Sequence, residues 1–162
     1  MLMKKFLVLL FTTLCFVSSA FAASKSRELS IDGNYISVGG QSASLLNASI
    51  GNFVTPQFLV VSSLTSQQNF GISATSISLG GKFYFMDGFK GDLVPFANAG
   101  IGLRLMATPT DSNHGSTQYE AGVGVAYFLS DSTTLDARIR VMNFNDGSSP
   151  VTLISAGFSQ RF

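Results

Sequence analysis

His114, Gly115 and Ser116, with Glu120 shortly after, place an imidazole, a hydroxyl and a carboxylate close together in the chain. These are the groups of a nucleophilic hydrolase: the hydroxyl attacks, the imidazole takes its proton and the acid orients the imidazole. The pair lies beside Asp111, Ser112 and Asn113, in a Thr108–Ser116 stretch that reads as a solvated connector. A connector holds no such groups in line, so the sequence assigns no catalytic residue. A second set is scattered: Asp32, Lys82, Arg104, Glu120, Asp136, Arg138 and Arg140 are isolated charges among small residues. They could form a selectivity filter or proton path, or a mutually satisfied network. With one histidine and one cysteine there is no metal-ligand cluster, and Gly80-Gly81-Lys82 lacks the rest of a phosphate loop. No cofactor or metal is expected.

The elements that position these groups begin after an export signal. Lys4 and Lys5 precede an apolar run from Phe6 to Val17, followed by Ser18-Ser19-Ala20-Phe21-Ala22, a small-residue cleavage site. The apolar run is too short for a spanning helix, which needs ~20 residues. The expectation is a signal peptide over 1–22 and a single domain over 23–162. Cys15 falls in the leader, so neither disulfide nor thiol chemistry is expected in the mature chain. Ten Lys and Arg against nine Asp and Glu leave the charge nearly balanced. There is no basic block to bind nucleic acid.

Strand-like runs alternate with breakers through the rest: 29–38, 44–53, 58–65, 75–85, 94–106, 117–128, 133–144 and 151–162. The connectors fall into two alternating sets. "VTPQ", "MDGFKGDL" and "LSDST" follow aromatic-rich strand ends, whereas "GGQSA", "SQQNFG", "ATPTDSNHGS" and "NDGSSP" are polar. Three on one side and four on the other is the pattern of an eight-stranded barrel with both termini at one end and an aromatic girdle at the membrane boundary.

Parity tests this, because a one-residue slip exchanges the faces of a strand. Leu135, Ala137, Ile139 and Val141 oppose Asp136, Arg138 and Arg140; Ile77, Leu79, Phe83 and Phe85 oppose Ser76, Ser78, Lys82 and Tyr84. The strands at 94–106 and 117–128 sort in the same way, the strand at 29–38 sorts more weakly, with Leu29, Ile31 and Tyr35 against Ser30, Asp32 and Asn34, and "FLVVSSLT" shows no clear parity. A soluble sandwich would carry many Lys and Glu on its polar face. Here that face is mostly Gly, Ser and Asn with single charges, as a narrow lumen requires. The fold expected is an all-β, eight-stranded antiparallel up-and-down transmembrane β-barrel.

Across nearly all of 23–162 the chain resembles the small outer-membrane barrels of the OmpA/OmpX type. "GNFVTPQF", "LVPFANAGIGLRL" and "AGVGVAYFLSDSTTLDARIRV" are similar to the family's strand-and-turn motifs. "SAGFSQRF" resembles its terminal assembly signal, with Ser155, Gly157 and Phe162 in the matching positions and Gln160 where an aromatic is commoner. The resemblance implies a Gram-negative outer-membrane location. It also implies a structural or surface role in envelope integrity or adhesion, with the lumen plugged by side chains. The partners it implies are outer-membrane lipids and lipopolysaccharide, the barrel assembly machinery, periplasmic chaperones and host surface molecules. A narrow channel for small solutes is the alternative. A lipid A-modifying enzyme is the second, since some such barrels use a His-x-Ser pair and an acid to remove acyl chains; that chemistry needs the side chains on the lipid face.

Overall fold

The computed structural model describes residues 27–38, 41–69, 72–86, 91–107, 112–147 and 149–162. The predicted leader, 1–22, lies outside them. The chain forms eight strands: β1 Arg27–Val38, β2 Gln41–Phe53, β3 Phe58–Asn69, β4 Ile72–Tyr84, β5 Leu93–Ala107, β6 Ser112–Ser130, β7 Thr133–Phe144 and β8 Val151–Arg161. Each pairs antiparallel with the next, and β8 returns to β1 to close the barrel. The eight predicted strands are therefore present, in up-and-down order. No helix among the described residues is long and apolar enough to cross a membrane.

Both faces follow from residue type. Leu79, Ile101, Leu103, Val123, Leu135, Ile139, Val141 and Phe158 point outward, while Ser76, Ser78, Lys82, Gln118, Asp136 and Arg140 are buried inside. An apolar exterior on a polar interior is the reverse of a soluble core, and it is what a lipid solvent selects. β3, which has no readable parity, takes its faces from its neighbours. Registered against β2 and β4, it turns Leu59 and Thr65 inward and Phe58 and Leu64 outward.

Two expectations are corrected. The stretch read as a connector around His114 and Ser116 is strand from Ser112 onward: Met106 pairs with His114, and Arg104 with Ser116. Pairing with the long β5 overrides the polar, turn-like composition. The aromatic-rich strand ends are not all girdle. Phe83, Phe85 and Tyr127 do face out, but Tyr84 and Phe96 are buried and Phe53 and Phe128 pack against them inside the barrel.

Phe162 is fixed by its backbone. Its N–H donates to the Arg27 carbonyl at 3.0 Å, and the Arg27 N–H donates to its carbonyl at 3.2 Å. Its ring remains on the outer face.

Close strand packing explains the glycines of "GVG". A Cβ at Gly124 would meet the Ala137 carbonyl oxygen at 2.5 Å, the Phe96 ring at 2.6 Å and the Arg138 Cβ at 2.8 Å. At Gly115 the nearest atom would be 3.8 Å away. Gly124→Ala should therefore lower stability by about 1–3 kcal/mol through overpacking, and Gly115→Ala should be nearly silent. Urea unfolding of the two variants in detergent tests the contrast; equal midpoints would contradict it.

Candidate functional site: the barrel lumen

Eight strands leave an interior just wide enough for side chains to fill. Charges brought into it must therefore find partners across the barrel, since an isolated buried charge is very costly. The structure contains two groups of such charges.

The first lies at the end that carries the termini. Glu28, 1% exposed, accepts hydrogen bonds from Lys82 Nζ at 3.1 Å, Arg161 Nε at 3.1 Å and the Tyr84 hydroxyl at 2.9 and 3.0 Å. Aromatic faces surround the two cations. Lys82 Nζ lies 4.5 Å from the Phe96 ring centre and 4.7 Å from that of Tyr84. The Arg161 guanidinium lies 4.7 Å from Phe128, 4.8 Å from Phe53 and 4.9 Å from Tyr84. Ring quadrupoles thus share with one carboxylate the work of replacing water around two cations.

The second group lies further along the lumen. Asp32 is bonded to Arg138, accepts from Asn47 Nδ2 at 2.7 Å and stands 3.7 Å from Arg140. Arg140, 1% exposed, reaches the Glu120 carboxylate at 3.5 Å. Asn47 in turn accepts from Thr65 at 2.7 Å, and Gln118 donates to Glu120 at 3.4 Å. Contacts therefore run from β3 through β2 and β1 to β7 and β6. A hydroxyl chain brings Asp136 into the first group: Ser159 lies 3.2 Å from Asp136 and 2.9 Å from Ser30, which donates to Glu28 at 3.3 Å.

Of the seven charges singled out in the sequence, Asp32, Glu120, Arg138 and Arg140 are brought together in the second group. Lys82 falls in the first, and Asp136 joins it through Ser159. Arg104 stands apart near the opposite end, its guanidinium 4.2 Å from the Phe144 ring and interacting electrostatically with Asp146. Glu28 and Arg161 escaped the sequence reading. Glu28 lies one residue before the expected start of β1, and Arg161 beside the chain end. Strand parity could have found both, because Glu28 alternates with Ser30 and Asp32, and Arg161 with Gly157 and Ser159.

Lys82, Arg138, Arg140 and Arg161 match Glu28, Asp32, Glu120 and Asp136 in number. The cavity between them measures about 30 Å³ for the centre of a water molecule and is lined by Glu28, Asn47, Asp136, Arg138 and Arg140 among others. The ends are also packed. Tyr84, Val94, Phe96 and Ala126 fill the termini end, and Leu45, Met142, Phe144 and Leu153 the loop end.

Ser116 is buried inside the barrel, and the His114 imidazole lies outside the described side chains. Ser155 and Gly157 point into the lumen beside β1. A Cβ on Gly157 would come within 2.7 Å of the Asp32 Cβ. No group of His, Asp or Glu that could hold a metal is found among the described residues.

No protein-family model and no curated protein sequence matches the chain. Solved structures do. The N-terminal β-barrel domain of Pseudomonas aeruginosa OprF superposes with a TM-score of 0.70 at 18% identity, covering 86% of this chain and 98% of that one. Neisserial surface protein A gives 0.69 at 17% identity, with the same coverage. A de novo designed transmembrane β-barrel gives 0.59 at 13%, again over 86% and 98%. The chain has the fold of the small eight-stranded outer-membrane barrels, which the sequence motifs resemble.

Removing one member of a buried charge group strands its partners. Glu28→Ala leaves Lys82 and Arg161 without their shared carboxylate and should cost about 3–5 kcal/mol. Glu120→Ala, at a more open site with one cation, should cost less. The apparent unfolding temperatures of the refolded variants give the order, and a more stable Glu28→Ala variant would refute it.

Proposed function

We propose that the protein is exported through a leader over 1–22 and resides in the outer membrane as an integral barrel with a plugged lumen. Its role there is structural or surface-facing: it supports envelope integrity and makes contacts through its loops with lipopolysaccharide or a host surface molecule. The observation that carries the plugged lumen is the cross-barrel network around Asp32, Arg138 and Arg140, which leaves a cavity of about 30 Å³ between packed ends. A hydrated solute needs a continuous water path, and the cross-barrel side chains and the packed ends stand across it. The outer-membrane location rests on the fold shared with OprF and Neisserial surface protein A and on the apolar exterior. The assembly-signal role of Ser155, Gly157 and Phe162, and recognition by the assembly machinery and chaperones, rest on the motif resemblance.

We assign the protein no enzymatic activity. Acyl-chain removal needs a nucleophile at the lipid face, and Ser116 is turned to the lumen. The designed barrel supports the same restraint, because this shape exists without any evolved activity.

Purified protein in planar bilayers should show no discrete single-channel steps, and lipid A from overexpressing cells should keep its acyl pattern. Resolved steps would favour the narrow channel, and a shortened acyl pattern the enzyme. Membrane fractionation should find the protein in the outer membrane, with a gel mobility that shifts on boiling; a soluble protein would overturn the location.

A further inference from the structure

The seam between the first and last strands is the shortest ladder in the barrel. β1 and β8 pair from Glu28↔Arg161 to Gly33↔Ala156, and the ladder stops there. Both strands continue. β1 stays paired with β2 as far as Val38, and β8 with β7 as far as Val151. In the same register the next partners would be Asn34 with Ser155 and Tyr35 with Ile154. Beyond the fork, two strand edges thus face each other without a ladder between them.

Independent features mark the same place. Asn34 Nδ2 and Ser155 Oγ are buried and have no hydrogen-bond partner. One is a donor, the other can accept, and they occupy the first unpaired positions. Tyr35 and Ile154, at the second, are the most exposed large apolar side chains among the described residues, at 70% and 69%. Behind the fork lies the apolar cluster of Leu45, Met142, Phe144 and Leu153, with Val151 against it and Arg104 on the Phe144 ring. Where the seam is zipped, its inward residues include Ser30, Gly157 and Ser159, which are small. Where it forks, β8 carries Leu153.

We infer that the forked half of the seam is an interface with a second copy of this chain, in which the β1 edge of each copy pairs with the β8 edge of the other. Unpaired backbone edges are not tolerated against hydrocarbon, and exposed edges are templates for another strand. A lipid chain offers no backbone donors or acceptors. A second copy offers the matching edge in the matching register, with Asn34 opposite Ser155 and Tyr35 beside Ile154. Two copies inserted in the same direction, related by a two-fold axis along the membrane normal, run β1 antiparallel to the partner's β8. The contact then forms twice and closes, as an exchange of identical elements does.

The proposal rests on the membrane-embedded reading, and fractionation separates the two failures: soluble chains sink that reading, whereas embedded chains that pair only within themselves sink this one. The test is disulfide capture in native membranes, with Cys15→Ser in every chain. Chains carrying Asn34→Cys and chains carrying Ser155→Cys, expressed together, should give a disulfide-linked species at twice the monomer mass. Either chain alone should give at least several-fold less. Ser30→Cys/Ser159→Cys, whose hydroxyls lie 2.9 Å apart across the zipped seam, should close within the monomer and verifies oxidation. An Asn34→Cys/Ser155→Cys chain that closes only within the monomer, or a mixture that yields no linked pair, overturns the proposal. If the cysteine chains fail to fold, a photoreactive phenylalanine analogue in place of the outward-facing Tyr35 reports instead. Adducts with β8 of a second copy support the interface, and adducts only within the same chain or with lipid overturn it.

Discussion

Hydrocarbon gives an unpaired amide nothing to bond to, and this one constraint organises the rest of the molecule. It demands that the sheet close on itself, and with eight strands closure leaves an interior of side-chain width. The outer face must then be apolar and the inner face either small or mutually neutralising. Gly124 shows how tight the walls are, since even a methyl group there would strike the backbone of β7 and the Phe96 ring. Asp32 shows the other half of the rule. It can be buried because Arg138, Arg140 and Asn47 arrive from two other strands.

Much of this was legible in the sequence because closure has a sequence period. A strand between lipid and lumen must alternate, and the β4 to β7 runs do so plainly enough that their faces could be assigned residue by residue. β3 could not be read alone. "FLVVSSLT" puts apolar residues on both faces, because Leu59 fills the lumen while Phe58 and Leu64 meet the exterior. Its register comes from β2 and β4, information that no single strand contains. The His114 region failed for a related reason: polar composition marks a loop only when no neighbouring strand is long enough to pair with it, and β5 is.

The lumen site was legible as a set of charges and not as a set of partners. Parity placed Lys82, Arg138 and Arg140 on one face, but which carboxylate each would meet depends on the stagger of the barrel. Glu28 meets Lys82 across three intervening ladders and Arg161 across the closing one, separations that periodicity does not encode. The aromatic rings were harder still. A phenylalanine at a strand end suits the membrane boundary and suits a cation in the lumen equally well, and one step of parity decides which. Phe83 and Tyr84 make the point as neighbours, the first outside and the second buried between Glu28 and Arg161.

That choice has a consequence for how the barrel holds together. The carboxylate of Glu28 sits on the first strand and the guanidinium of Arg161 on the last, so their contact spans the seam that forms only when both ends of the chain have met. Lys82 and Tyr84 bind the same carboxylate from β4, far around the wall, and tie the seam to the opposite side of the lumen. Zipping at the termini end is thus reinforced by buried polar contacts and by small residues that let the strands approach. At the loop end the interior is apolar and bulky, and Asn34 and Ser155 lack partners where the ladder stops. The two ends of one seam therefore differ in what they can satisfy within a single chain, and it is the loop end that presents free strand edges beyond it.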